Sequence, residues 1–310
     1  MRLAGPAILL VLVTTGGCFG AASGPELPPL ATKVRDLRDK GHRALTQGDA
    51  ERAGATFEEA RRLAESIDDR PALAAVLNDL GLVAGLRGDP SKAEDFHRRA
   101  LAIASSLGEK PLIASTLSHL GQTAHLRGDS AAALGYYQRA LTLSRELRDR
   151  RGEAVVLNNL GLLQQSKGDL DQAEQNLQQA LSINTDLHER RAMGSNLSNL
   201  GSVLEDRQRP AEARTRFEQA LALDKEVEDQ EAIAADLVAL GRLSEREHRL
   251  EEAAGYWDRA YRGYRAINKL AKAGDVLRRL IRVAQALGQD SLAATYEAEL
   301  KTLTAPPGKK

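Results

Sequence analysis

The sequence has few cysteine and aromatic residues and no net charge. Cys18 is the only cysteine among 310 residues, so the chain cannot form an internal disulfide. Aromatic residues make up 4% of the chain and hydrophobic residues 42%, which favours helices packed through small aliphatic side chains. Because 43 basic residues balance 43 acidic ones, no overall field attracts nucleic acid, and we expect no nucleic-acid partner.

The sequence also lacks the motifs of common enzyme classes. It contains no G-x-S-x-G, no phosphate-binding loop, no G-x-G-x-x-G and no H-E-x-x-H. His119 and His125 fall within one predicted helix but lie six residues apart, which turns them to different faces and disfavours a shared metal ion. We therefore predict a non-catalytic protein without cofactor or metal. An enzyme whose residues follow none of these motifs is the alternative.

The amino terminus has the pattern of an export signal. Arg2 precedes a short apolar run at residues 7–13, which is too short to span a bilayer permanently, and small residues follow. The segment TGGC at residues 15–18 resembles a bacterial lipobox, which implies cleavage before Cys18 and lipidation of its thiol. Thr15 departs from the leucine that is usual there. An ordinary signal peptide, or a cysteine without a role, is the alternative.

These features divide the chain into four predicted parts. We expect a signal peptide over residues 1–17, a lipidated cysteine with a flexible tether over residues 18–31, a repeat domain over residues 32–303 and a disordered tail over residues 304–310. The chain would then be an outer-membrane lipoprotein that faces the periplasm, because Phe19 is not the aspartate that often retains lipoproteins at the inner membrane. A secreted or soluble periplasmic protein is the alternative.

One pattern recurs along the chain with a period of 40 residues. Its clearest mark is a Leu-Gly pair at residues 80–81, 120–121, 160–161, 200–201 and 240–241. Around each pair apolar residues recur at helical spacing until a turn interrupts them, as at Gly88-Asp89. Glycine can end a helix in the left-handed conformation and aspartate can cap the next helix, so each period predicts a helical hairpin.

Small side chains keep a fixed place in every period. Alanine stands twelve residues after the glycine of each Leu-Gly pair, as Ala93 does after Gly81, and a larger side chain stands four residues beyond the alanine. We expect the glycine and that alanine to face each other across the hairpin. The larger side chains, such as Tyr137 and Phe217, would then fill the gap to the next hairpin.

This pattern resembles the tetratricopeptide repeat, in the 40-residue variant found in kinesin light chain and in the Leu-Gly-Asn repeat proteins. The resemblance covers about residues 32–303 and implies an all-α, right-handed α-solenoid of about seven helix-turn-helix units. It also implies that the first helix of each unit lines a concave groove, into which the residue two before each leucine points.

The groove predicted in this way is neutral and polar. Its predicted peptide-binding residues are Asn78, Ser118, Gln122, Asn158, Asn159, Ser198, Asn199 and Ser202. Amide side chains can donate to and accept from the backbone of an extended peptide, so such a groove would tolerate many bound sequences. The alternative is that these are solvated polar residues on an exposed face.

Basic residues concentrate near the carboxyl end. The predicted patch comprises Arg259, Arg262, Arg265, Lys269 and Lys272, and Asp275 is the only acidic residue between Arg259 and Arg282. Such a patch would bind an anionic partner, for example an acidic segment or a lipid head group. A solvated outer face beside core aromatic residues is the alternative.

Together these patterns predict a membrane-anchored scaffold that captures an extended peptide or protein in its groove, as a monomer or within a hetero-complex. The alternative is a structural subunit of a cell-envelope assembly, such as a secretion, pilus or outer-membrane complex, that packs through its convex face or its ends. Capture in the groove predicts a polar concave face, whereas assembly predicts an apolar convex face.

Overall fold

The computed structural model describes residues 29–304, and this part of the chain is entirely helical. Its fourteen helices are α1 (Pro29–Thr46), α2 (Ala50–Ser66), α3 (Arg70–Leu86), α4 (Pro90–Leu107), α5 (Lys110–Leu126), α6 (Ser130–Glu146), α7 (Arg150–Lys167), α8 (Leu170–Asp186), α9 (Arg190–Asp206), α10 (Pro210–Glu226), α11 (Gln230–Arg246), α12 (Leu250–Ala266), α13 (Leu270–Ala286) and α14 (Asp290–Thr304). The first helix begins three residues before the predicted repeat domain. The predicted signal peptide and Cys18 lie outside the described residues.

The helices are separated by short turns that share one backbone conformation. A residue with φ between 52° and 83° recurs every 20 residues, and it is glycine at six of these turns, including Gly88 and Gly128. Gln208 and His248 take the same conformation in the two hairpins that lack glycine there. Asp89 then caps α4 by accepting a hydrogen bond from the backbone N–H of Lys92 at 3.0 Å. The predicted helical hairpins are confirmed.

The helices form two compact units on either side of residue 168, an N-terminal unit of α1–α7 and a C-terminal unit of α8–α14. Within each unit, helices that are consecutive in the chain pack as antiparallel neighbours. In the N-terminal unit the first helices of successive pairs also contact one another, α1 with α3, α3 with α5 and α5 with α7. The second helices α2, α4 and α6 make no comparable contact. The first helices therefore lie on the inner side of this unit, and the predicted all-α solenoid is confirmed.

The glycines of four Leu-Gly pairs pack against a ring of the second helix and not against the predicted alanine; they are Gly81, Gly121, Gly201 and Gly241. A Cβ atom added at Gly121 would lie 2.6 Å from the ring of Tyr137, and one added at Gly201 would lie 2.7 Å from the ring of Phe217. The prediction was wrong because residues that face each other across an antiparallel hairpin are equally far from its turn. Gly121 and Tyr137 are each eight residues from residue 129.

The repeated alanines form the close contacts between helices. Ala53, Ala93, Ala133, Ala173, Ala213 and Ala253 are all at most 1% exposed. Ala93 has Gly85 opposite it, and a Cβ atom added at Gly85 would lie 4.0 Å from the Ala93 Cβ. A larger side chain at these positions would force the two helices apart.

Candidate functional site

The first helices of the N-terminal unit leave a row of side chains uncovered. Leu86 and Leu126 occupy the last position of α3 and of α5, 40 residues apart, and are 40% and 44% exposed. Leu82 and Gln122 lie one turn earlier in the same helices and are partly exposed. These four residues lie on two helices that contact each other, and we call their surface the leucine face. Its two most exposed members are apolar, whereas the sequence predicted a polar surface.

Half of the predicted groove residues are buried by the fold itself. Asn78, Ser118, Asn158 and Asn199 are each only 5–6% exposed. Gln122, Asn159, Ser198 and Ser202 are partly exposed. A bound peptide could therefore reach the second set, whereas the first set lies within the packed interior.

Asn78 has a specific partner inside the protein. The Nδ1 atom of His97 lies 2.8 Å from the Asn78 Oδ1, so the imidazole N–H donates to the amide oxygen. His97 stands where the neighbouring repeats have Phe57 and Tyr137, and it is as deeply buried as they are. Burial lowers the pKa of His97 well below its ordinary value, and the nearby His119 lowers it further. The ring is therefore neutral, and Asn78 supplies the partner that a buried imidazole needs.

A second buried polar group joins α1 to α3. Arg38 Nε donates to Asp79 Oδ2 at 2.7 Å, and His42 Nε2 lies 3.3 Å from Asp79 Oδ1. Burial alone would raise the pKa of Asp79, but the hydrogen bond from His42 and the charge of Arg38 outweigh it and lower the pKa. Despite these histidines, no set of three or more His, Cys, Asp or Glu side chains between residues 29 and 304 is arranged to hold a metal ion.

The C-terminal unit buries two carboxyl groups close together. Asp224 and Asp236 are each 2% exposed, and the Ser198 hydroxyl donates to Asp236 Oδ1. Burial, together with the charge of Asp229, raises the pKa of Asp224 to about 6. Burial, together with the charge of Asp224, raises the pKa of Asp236 to about 8. Asp224 also lies against Gly194, where any Cβ atom would collide with its Oδ1.

Four arginines gather on the first helices α11 and α13. Arg242 donates two hydrogen bonds to Glu205 of α9, at 2.9 and 2.6 Å, and Arg246 Nη1 lies 2.6 Å from the same carboxylate. Burial lowers the pKa of Arg279, and so do the charges of Arg282, Arg242 and Arg246. The other three guanidinium groups are therefore close enough to repel Arg279. We call the surface of Arg242, Arg246, Arg279 and Arg282 the arginine face.

The predicted basic patch is a different surface, and most of it is paired. Four of its five members form ion pairs, Arg262 with Asp258, Arg265 with Glu299, and Lys269 and Lys272 both with Glu231. Arg259 is exposed and has no ion pair with any residue that the structure describes. The uncompensated charge of this region therefore lies mainly on the arginine face.

The arginine face was not predicted from the sequence, although the sequence contains one signal of it. Arg242 and Arg282 are separated by 40 residues, so they occupy the same position in successive repeats. Arg246 and Arg279 come from two other positions of the repeat, so their closeness could not be predicted from the 40-residue spacing. The 40-residue spacing of Arg242 and Arg282 is therefore the part of this surface that the sequence shows.

None of the helices within residues 29–304 combines the length and the hydropathy needed to cross a membrane.

The repeat architecture matches that of a known protein family. The model of the tetratricopeptide repeat matches residues 40–106, 112–186 and 193–266. The chain belongs to the tetratricopeptide repeat family. Tetratricopeptide repeats are a fold known for protein–protein interaction, and proteins built from them are generally non-catalytic scaffolds. No curated protein matches this tetratricopeptide repeat chain.

Solved tetratricopeptide repeat-like structures agree on the fold. BtubC from P. vanneervenii is 24% identical, with a TM-score of 0.58 over 78% of this chain and 93% of BtubC. PilF of Pseudomonas aeruginosa is 25% identical, with a TM-score of 0.54 over 76% of this chain and 94% of its own. A Rap protein complexed with competence and sporulation factor is 17% identical, with a TM-score of 0.67 over 87% and 74%.

Proposed function

We propose that this tetratricopeptide repeat protein is a non-catalytic scaffold that binds an extended polypeptide segment on the first helices of its N-terminal unit. The observation that carries the proposal is the leucine face. Leu86 and Leu126 are two of the four exposed large apolar side chains of this unit, and they occupy the same position of two first helices that contact each other. Adjacent exposed apolar side chains on such a surface favour contact with a partner.

The chemistry of the leucine face suits an extended chain. Leu86 and Leu126 would contact apolar side chains of the partner, and the Gln122 amide between them can both donate to and accept from a peptide backbone. In the C-terminal unit, Ser202 is partly exposed at the repeat position of Gln122 and could serve a partner in the same way. The similar Rap protein was solved in complex with a bound factor, which supports the idea that this fold accommodates ligands.

The binding proposal can be tested by site-specific photocrosslinking in cells. A benzoylphenylalanine placed at Leu126 should yield discrete crosslinked products. The same residue placed at Arg139, which is exposed on the second helix α6, serves as the matched control and should yield none. Products from Arg139 but not from Leu126 would instead favour the alternative of a structural subunit that packs through its outer face.

We also propose that the protein is an outer-membrane lipoprotein anchored through Cys18. The support is the sequence TGGC at residues 15–18, which follows a short apolar run. Globomycin treatment and Cys18→Ser should each leave an unprocessed precursor on a gel. A Cys18→Ser variant that is processed to a soluble form of unchanged size would contradict the anchor.

A further inference from the structure

The geometry points to a second binding surface: we propose that the arginine face of the C-terminal unit binds an acidic polypeptide segment. This surface goes beyond the proposed function, because it lies on α11 and α13 and shares no residue with the leucine face. The proposal depends on how the four guanidinium groups are held, on how far their charge is compensated, and on which anion fits their arrangement.

Glu205 holds two of the arginines in place. Its side chain is only 6% exposed, and it accepts both hydrogen bonds from Arg242 as well as the guanidinium of Arg246. One buried carboxylate thus fixes two guanidinium groups, which removes much of the side-chain entropy that a ligand would otherwise have to restrict. The Arg246 side chain is still 63% exposed, so its remaining N–H groups face solvent.

The positive charge of this surface exceeds the negative charge that faces it. Glu205 serves two arginines, and the nearest carboxylate to Arg279 is Glu245, at 3.8 Å. Arg282 is exposed and has no ion pair among the described residues. Four arginines therefore face two carboxylates. Burial and repulsion by the other arginines lower the pKa of Arg279, and an anion bound here would offset both effects.

Carboxylate side chains on an extended chain fit this arrangement best. A guanidinium group binds a carboxylate through two parallel hydrogen bonds, and Arg242 and Arg282 repeat at the same position of successive first helices. Val238 and Ala235 of α11 are partly exposed nearby and could contact the aliphatic parts of glutamate side chains. The described arginine face has no aromatic member on which a base could stack, and the chain has no net charge, which disfavours nucleic acid.

The test measures the binding of fluorescein-labelled decaglutamate to the full chain by fluorescence anisotropy at about 50 mM salt, where exposed charges are weakly screened. The wild type should bind, and binding should weaken as salt is raised. Arg279→Gln/Arg282→Gln should weaken binding at least ten-fold. The matched control Arg259→Gln/Arg262→Gln removes the same charge from α12 and should change binding less than two-fold. Equal weakening by both pairs, or no binding by the wild type, would overturn the proposal.

Three further measurements identify the ligand class and separate this surface from the first one. Decathymidylate and vesicles of anionic lipid should bind more weakly than decaglutamate. If either binds equally or more tightly, and this binding depends on Arg279 and Arg282, the proposal that the ligand is a polypeptide is wrong. Leu86→Ser/Leu126→Ser should leave decaglutamate binding intact, so each surface can fail independently. Arg282→Glu, at an exposed position without an ion pair, should weaken binding without lowering the melting temperature.

Discussion

The glycine of the Leu-Gly pair makes room for a side chain of the second helix. Tyr137, Phe217 and Trp257 lie against Gly121, Gly201 and Gly241, and His97 lies against Gly81 in the same way. A glycine in mid-helix weakens the helix by roughly 0.5–1 kcal/mol relative to alanine, so the ring contact must compensate for this cost. The most regular feature of the sequence is therefore a packing requirement.

We predict opposite effects for two glycine-to-alanine substitutions in the N-terminal unit. Gly121→Ala places a Cβ atom 2.6 Å from the Tyr137 ring and should reduce the free energy of unfolding by about 1–3 kcal/mol. Gly135→Ala, in mid-helix with no atom within 4 Å of the new Cβ, should raise it by about 0.5–1 kcal/mol. Urea melts measure both changes. If the two variants lose stability equally, the ring contact is not what Gly121 provides.

His97 should make the stability of the protein depend on pH. Its pKa is lowered in the folded protein, so between its folded and unfolded pKa values the unfolded chain binds more protons. The stabilising contribution is complete above about pH 6.5 and is lost as the pH falls below it. His119, whose ring centroid is 5.2 Å away, and Asn78 are the polar groups that face this imidazole.

We predict that Asn78→Ser/His97→Tyr reduces this acid sensitivity, because it copies the Ser118 and Tyr137 pair of the next repeat. The change in the free energy of unfolding between pH 6.5 and 5 should become smaller by up to about 1.4 kcal/mol per pH unit, the value for one proton. Urea melts across this range measure the slope. An unchanged slope would assign the titration to another group, such as His119.

Individual residues differ in whether their structural role could be predicted from the sequence. The turns were predicted from Gly88 and Asp89 because left-handed backbone and N-terminal capping are local properties. The burial of Asn78 was missed because it depends on a contact with His97, 19 residues away. A polar residue in a predicted helix is expected to be exposed unless it is known which other helix covers it.

At the scale of elements, buried carboxyl groups join three helices of the C-terminal unit. Ser198 of α9 donates to Asp236 of α11, and Asp224 of α10 packs against Gly194 of α9. The other oxygen of Asp236, Oδ2, is also buried, and the neighbouring Asp224 is a second carboxyl group that can share a proton with Asp236. Two buried carboxylates beside each other destabilise a fold, so this contact favours the protonated acid.

We predict that Asp236→Asn stabilises the protein at alkaline pH. The pKa of Asp236 is raised to about 8, so the folded protein retains a proton that the unfolded chain releases near pH 4, and stability falls as the pH rises between these values. Asparagine does not ionise and still accepts from Ser198. The gain should be about 1 kcal/mol or more at pH 8 and should shrink toward pH 4. A loss of stability at pH 8 would contradict this assignment.

The helices and their pairing into hairpins could be predicted from the repeat, but the charged surfaces could not. Helical spacing and turn chemistry predicted hairpins because both are encoded within 40 residues. The arginine face combines Arg246 and Arg279 from different repeat positions, and the predicted basic patch proved to be largely neutralised by Glu231, Glu299 and Asp258. A run of basic residues in the sequence does not show whether acidic residues of other helices neutralise its charge.

At the scale of the whole molecule, contacts are local in sequence. Within each unit a helix packs mainly against the helices next to it in the chain, and contacts beyond these join alternate helices only. In such arrays stability is roughly the sum of each repeat and its interfaces with neighbours. This locality explains why the fold was predictable from the sequence. The division near residue 168 was not predicted, because the 40-residue pattern continues through it unchanged.

We predict that the last helix is the least protected part of the described chain. Among the described elements, α14 has a substantial interface only with α13, and Ala293 is its only buried residue, whereas α12 packs between α11 and α13 and buries Trp257. Tyr296, Leu300 and Leu303 only partly cover the core. Because local opening costs least where few apolar contacts break, amide hydrogens of α14 should exchange well before those of α12.

Hydrogen-exchange mass spectrometry measures this difference, and dilution of the sample supplies the control. In an isolated chain the fast exchange of α14 should not depend on protein concentration, since α13 is the only described element with a substantial interface to it. Protection of α14 that equals that of α12 in dilute solution would contradict the prediction. Protection that appears only at high concentration would mean that the carboxyl end packs against a second copy, because repeat arrays expose an apolar face wherever stacking stops.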